Sequence, residues 1–173
     1  MGIAQSLMNL AIVADKQGDH RAAQAWHEQS LALHRKLGNK EGIATSLHYM
    51  GHAAFLQGDY ETARAFYEQS LTMRKELEGK SGIVLSLEAF ARLTVTTQQP
   101  KRAARLWGAA EAMRQATGSP ISPIEQAEYD HNLDIIREAL GAEAFAAAWE
   151  EGRAMTLEQV TVYALEDPGT PVR

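Results

Sequence analysis

The chain has 173 residues, 45% of them hydrophobic and 23% charged, which is enough apolar matter for a packed core and excludes a disordered polymer. Its net charge of -5 excludes broad electrostatic attraction to nucleic acid or to an anionic membrane. Cysteine is absent, which excludes disulfides and thiolate chemistry. No apolar run approaches the length of a membrane span, and no basic-then-apolar leader opens the chain. A cytoplasmic location with no membrane partner is therefore expected.

In chain order, "GIAQSL" at 2–7 returns as "GIATSL" at 42–47 and as "GIVLSL" at 82–87, at an unbroken spacing of forty. Gapless comparison of 2–41 with 42–81 gives about 17 identities, the signature of a stacked repeat. Each copy reads as two helices. The first segment of the second copy, 43–57, carries apolar residues at helical spacing and stops at Gly58-Asp59, where glycine turns the chain and Asp59 caps the next helix. The second segment, 60–77, sets Ala63, Phe66, Tyr67, Ser70, Leu71 and Met73 along one stripe, and Gly79 ends it as Gly38 does in the first copy. In the third copy "QQP" at 98–100 replaces Gly-Asp, and Pro100 opens a helix because the N–H it lacks is unpaired at that position anyway. After "TGSPISP" at 117–123, three further helices are predicted. Residues 124–140 are amphipathic through Ala127, Leu133, Ile136 and Leu140. Residues 142–155 bury Phe145, Ala148 and Trp149. Residues 156–166 open on a Thr156/Gln159 capping box.

The second copy, "ATSLHYMGHAAFLQGDYETARAFYEQSL", resembles a tetratricopeptide repeat through Met50-Gly51, Ala54, Gly58-Asp59-Tyr60, Ala63, Tyr67 and Ser70-Leu71. The first copy matches with Leu10-Ala11, Ala14, Gly18-Asp19, Ala23, His27 and Ser30-Leu31, the third with Phe90-Ala91, Ala103, Trp107 and Ala110. The period exceeds the usual 34 residues, so the helices are longer than in the common member. The resemblance implies an all-α protein, an α-α superhelix of three helix pairs (2–41, 42–81, 82–121) followed by capping helices over 122–167 and a frayed tail at 168–173. Residues 102–166 also resemble the C-terminal part of bacterial multidomain ATP-dependent transcriptional regulators of the LuxR-type and related signalling classes. The ATPase and DNA-binding parts of such a parent are not in this chain, which has no G-x-x-x-x-G-K-[ST] loop and no basic recognition helix. The first helix would leave Leu7, Leu10 and Ala14 with no neighbour before them, so the expectation is a fragment, a truncated relative or a module that self-associates through its uncapped N-terminal helix pair.

The family's repeat register implies a concave groove lined by Gln5, Met8, Ile12 and Asp15 in the first copy, Thr45, His48, His52 and Phe55 in the second, and Leu85, Glu88 and Arg92 in the third. Its mixed polar and apolar lining suits an extended peptide or a helix of a protein partner. The Lys and Asn pattern that clamps a peptide carboxylate in some chaperone-binding members is not matched. His48 and His52 stand four apart, a spacing that can hold zinc or nickel, but "HYMGH" lacks the glutamate of the zinc-protease motif. His27 takes the slot of Tyr67 and Trp107 and is expected to pack with a hydrogen bond. No Ser/His/Asp or Cys/His arrangement and no cofactor motif is present, so a non-enzymatic interaction module is expected, with no direct nucleic-acid contact.

Overall fold

The structure is a computed structural model in which residues 2–166 are described. The predicted frayed tail lies outside the described residues. Among these residues the regular structure is all α-helix, with no strand. The helices are α1 (Gly2–Lys16), α2 (His20–Lys36), α3 (Lys40–Leu56), α4 (Tyr60–Glu76), α5 (Lys80–Thr96), α6 (Pro100–Thr117), α7 (Pro123–Leu140), α8 (Ala142–Arg153) and α9 (Leu157–Leu165). The chain divides into two compact units, Met1–Gly82 and Ile83–Arg173.

The first unit holds two hairpins, α1–α2 and α3–α4. Asp19 and Asp59 cap the second helix of each through bonds from Ala22 N and Thr62 N, both 3.1 Å, and Asn39 caps α3 through Gly42 N at 3.0 Å. Each such cap is worth about 1 kcal/mol. The turns inside the hairpins require a left-handed residue, supplied by Gly18 (φ 79°) and Gly58 (φ 78°). The turn after the first hairpin uses Gly38 (φ 64°), but its counterpart after the second is Glu78 (φ 53°), not the predicted Gly79. The repeat register decides this, because Glu78 stands forty residues after Gly38.

Small residues let the two helices of a hairpin approach. Where α1 packs on α2, Ala4, Ala11, Ala14, Ala23 and Leu31 are buried; where α3 packs on α4, Ala44, Leu47, Ala54, Ala63, Tyr67 and Leu71 are buried. Gly51 lies under the Tyr67 ring, where a Cβ would stand 2.7 Å from ring carbon Cδ1. A buried serine bonds across each pair: Ser30 Oγ donates to Ala4 O at 2.9 Å, and Ser70 Oγ to Ala44 O at 2.7 Å. Phe66 and Met73, expected on the stripe, are only half-buried, while Arg74 is fully buried in their place.

The second unit is organised around α6. Pro100 opens it, preceded by Gln98 in the left-handed region (φ 58°) at the place of Gly58. Ala103, Ala104, Leu106, Trp107, Gly108, Ala109 and Ala110 are buried almost all the way round the helix. That is the pattern of a helix covered on several sides. The α8 helix crosses α6 at two glycines that face each other's backbones: Gly108 meets Trp149 and Gly152 meets Arg105. The α7 helix adds Tyr129, whose ring meets Trp107 edge-on at 5.0 Å, and buries Leu133 and Ile136. Ala127, expected on that apolar stripe, is exposed. Phe145 and Trp149 are half-buried and meet at a tilt, their ring centres 5.4 Å apart. The α9 helix opens on the predicted capping box, with Gln159 N bonding Thr156 Oγ1 at 3.2 Å and Thr156 N bonding Gln159 Oε1 at 2.8 Å. Arg102 holds its far end, donating to Tyr163 O and, at 2.8 Å, to Glu166 O.

Candidate functional site

The first helices of the two hairpins, α1 and α3, touch each other directly in the first unit. Gln5, Met8, Ile12 and Asp15 recur along α1 at intervals of three and four, as Thr45, His48, His52 and Phe55 do along α3, so each set shares one helix face. Along this face Gln5 is exposed, bonding Asn9 at 3.2 Å, and Ile12, Thr45, His52 and Phe55 are half-buried. Met8, Asp15 and His48 are buried.

Asp15 and His48 are engaged by the hairpins themselves. Asp15 accepts from His27 Nε2 at 3.1 Å and from His20 Nδ1 at 3.4 Å, so it clasps α1 to α2. His27 packs as the sequence implies. Burial pulls its pKa below the ordinary imidazole value, and Asp15 opposes that shift only in part. The His48 ring lies against Tyr49 at 5.4 Å and Tyr67 at 5.6 Å. Tyr49 in turn stacks on His27 at 6.2 Å. Phe55 leans on Tyr60 at 5.6 Å. Among the described residues no group of three His, Cys, Asp or Glu side chains is placed to hold a metal ion.

Glu88 and Arg92 belong to the second unit. Glu88 is buried and takes a two-pronged bond from Arg114, Nε to Oε1 at 2.6 Å and Nη2 to Oε2 at 2.9 Å. This bond raises the Arg114 pKa above its already high ordinary value. Arg92 reaches Glu128 of α7 at 3.1 Å, and Leu85 is exposed. Both charged candidates of the third copy are thus tied to α6 and α7. Beside them, burial first and the carboxylates of Glu111 and Glu88 next push the Tyr129 phenol up to about 12.

Sequence reasoning missed the two buried basic side chains His34 and Arg74. Each ends the second helix of a hairpin, where a basic residue ordinarily faces water and the helix dipole. The available signal was the glycine eight residues later in each copy, Gly42 and Gly82, which makes room for them.

Among the described residues no helix is long and apolar enough to cross a membrane. The family model described as tetratricopeptide repeat matches residues 2–76 and 42–116. Proteins named as HTH-type transcriptional regulators, from Mycobacterium bovis and from two strains of Mycobacterium tuberculosis, are each 35% identical to this chain over 83 residues. That match covers 48% of this chain and only 9% of each relative. With the forty-residue register, the small-residue hairpin contacts and the family match in agreement, the chain belongs to the tetratricopeptide repeat family, a repeat scaffold for protein–protein interaction.

Proposed function

We propose that this chain is a non-enzymatic interaction module that holds a peptide or protein segment along the shared face of α1 and α3, as part of a bacterial signalling or transcription regulator. The observation that carries the reading is the accessible set Gln5, Ile12, Thr45, His52 and Phe55. These side chains are exposed or half-buried, mixed in polarity, and repeat in register on two adjoining helices. Apolar members supply contact area for a ligand's side chains, and the amide, hydroxyl and imidazole supply hydrogen bonds for its backbone. Met8, Asp15 and His48 shape the floor beneath them, while Glu88 and Arg92 are committed to α6 and α7. The names of the mycobacterial relatives support the regulatory setting. The mechanism is differential binding: a segment that binds one arrangement of the parent protein better than another shifts the balance between them, with no bond made or broken. The setting is cytoplasmic, and nucleic acid is not a direct partner of this module.

The test is selection of 15-residue peptides from a random display library on the immobilised chain, followed by amide chemical-shift mapping of a selected peptide. Shifts concentrated at 5, 12, 45, 52 and 55, with binding lost in Thr45→Arg and His52→Glu, support the reading. Shifts confined to other faces, or binding indifferent to both variants, refute it.

A further inference from the structure

An open cleft of about 610 Å³ lies in the first unit between α2 and α4, with α3 as its floor. Ile43 and Leu47 of α3 and Met73 of α4 give it an apolar bed. At about 100° per residue, Ile43 and Leu47 stand roughly 140° around α3 from the centre of the Thr45, His48, His52 and Phe55 face. The cleft is therefore a different surface from the α1–α3 face. Two charged side chains line it, Arg35 and Glu68. Glu68 is taken by Arg64 Nε at 2.7 Å, whereas among the described residues no carboxylate pairs with the exposed Arg35. The charge that a ligand meets is the guanidinium, on a chain whose net charge is -5.

The third copy carries the same register where it is covered. Ala65, Glu68, Gln69 and Thr72 of α4 correspond, forty residues on, to Arg105, Gly108, Ala109 and Ala112 of α6. There α8 lies on the helix, with Gly108 against the Trp149 backbone and Gly152 against that of Arg105. On α4 the glutamate at the place of Gly108 excludes so close a helix, because even a Cβ at Gly108 would stand 2.4 Å from Trp149 O. The polar wall of the cleft also calls for a different ligand. Gln69 donates to Ala65 O at 3.2 Å and Thr72 Oγ1 to Glu68 O at 2.8 Å, so each keeps an acceptor oxygen for a ligand. A helix has its own N–H groups bonded internally, while an extended chain brings them free.

We propose that this cleft binds an extended acidic segment of a partner protein, one that carries an aspartate or glutamate near a large apolar side chain. The apolar side chain lies on Ile43, Leu47 and Met73. The carboxylate takes a two-pronged bond from Arg35, and backbone N–H groups reach the Gln69 and Thr72 oxygens.

The probes are capped 11-residue Gly/Ser peptides, each with one Phe and one Asp set one to six residues apart, and the same set with Lys in place of Asp. Each is titrated into the full chain and followed by amide chemical shifts. The expected result is that at least one Asp peptide shifts the amides of 35, 43, 47, 69, 72 and 73. Its Lys counterpart binds at least about tenfold more weakly, and Arg35→Glu reverses the preference. Arg35 is exposed, so that variant keeps the melting temperature of the parent. Asp peptides that shift nothing in the cleft, shifts confined to 45, 52 and 55, or equal binding of the Lys set overturn the proposal. Decanoate, titrated alone, is the other arm. If it shifts the same amides and no peptide does, the occupant is a small amphipathic acid and the proposal falls. A concentration-dependent dimer that R35E abolishes also overturns it, since a second copy would then be the occupant.

Discussion

Replacing Gly152 by alanine tests the crossing of α6 and α8. An added Cβ at Gly152 would stand 2.7 Å from the carbonyl carbon of Arg105 and nearer still to its oxygen, against 3.4–4 Å for ordinary contact. The obstacle is helix backbone, which cannot rotate aside, so α8 must retreat by more than about 0.7 Å, the shortfall at the carbonyl carbon alone. A gap of that size forfeits roughly a quarter to a half of the dispersion energy at each contact it opens. Overpacking of this kind costs about 1–3 kcal/mol. Alanine returns up to about 1 kcal/mol of helix propensity, less in the last turn where Gly152 sits. The expected net loss is about 1–2 kcal/mol, or roughly 2–8 °C in melting temperature for a chain of this size. Urea unfolding followed by far-ultraviolet circular dichroism measures it, with Gly108→Ala as the reciprocal variant facing Trp149. Gly2→Ala, with open space around it, serves as the control and is expected to be neutral or slightly stabilising. A Gly152→Ala midpoint equal to or above that of the parent would refute the reasoning.

Three other outcomes are expected. Glu78→Gly and Gln98→Gly, which relieve left-handed backbone at φ 53° and 58°, should each raise stability by about 0.5–1 kcal/mol in denaturant titration; a loss would show the side chains to be worth more than the strain. Arg114→Ala strips the buried Glu88 of its two-pronged partner and should lower stability by about 2–3 kcal/mol, whereas Arg137→Ala, in an exposed pair with Asp134 and over the Phe145 ring, should change it by no more than about 1 kcal/mol. Burial lowers the pKa of both His27 and His34 from 6.5, so below that pH the unfolded chain binds more protons than the folded one and stability falls as the pH drops through the window. The urea midpoint should therefore be lower at pH 5.5 than at pH 7.5, with a shallower dependence in His27→Tyr; a pH-independent midpoint contradicts this.

The hairpins were legible because their determinants are local and duplicated. Gly18-Asp19 and Gly58-Asp59 announce turn and cap within two residues, and a serine with leucine marks the stripe forty residues apart. Glu78 and Gln98 were not legible as turn residues, since neither type favours left-handed backbone; only the register places them. The groove candidates were legible as a helix face but not in their burial. Periodicity says that Met8, Asp15 and His48 point the same way as Ile12 and Phe55, but whether a position is open depends on what packs there. For Asp15 that is His27, and for His48 it is Tyr49 and Tyr67. The family's repeat register put Glu88 and Arg92 on the groove, and no helical spacing rule could show their partners, Arg114 and Glu128, which lie 26 and 36 residues away. Ala127 shows the opposite error, since alanine on a long helix reads as core although it is equally at home on a solvated face.

The serine bonds to Ala4 and Ala44 each span 26 residues, so every one of them closes inside its own hairpin. That makes the order of folding match the order of synthesis. A ribosome adding about 5–20 residues per second takes roughly 2–8 s to deliver one forty-residue copy, while a short loop closes in about a microsecond or less. Each hairpin can therefore latch before the next is made. His34, eight residues ahead of Gly42, then stands ready as the surface on which the following helix begins. The chain is built so that the finished part serves as template for the part still emerging.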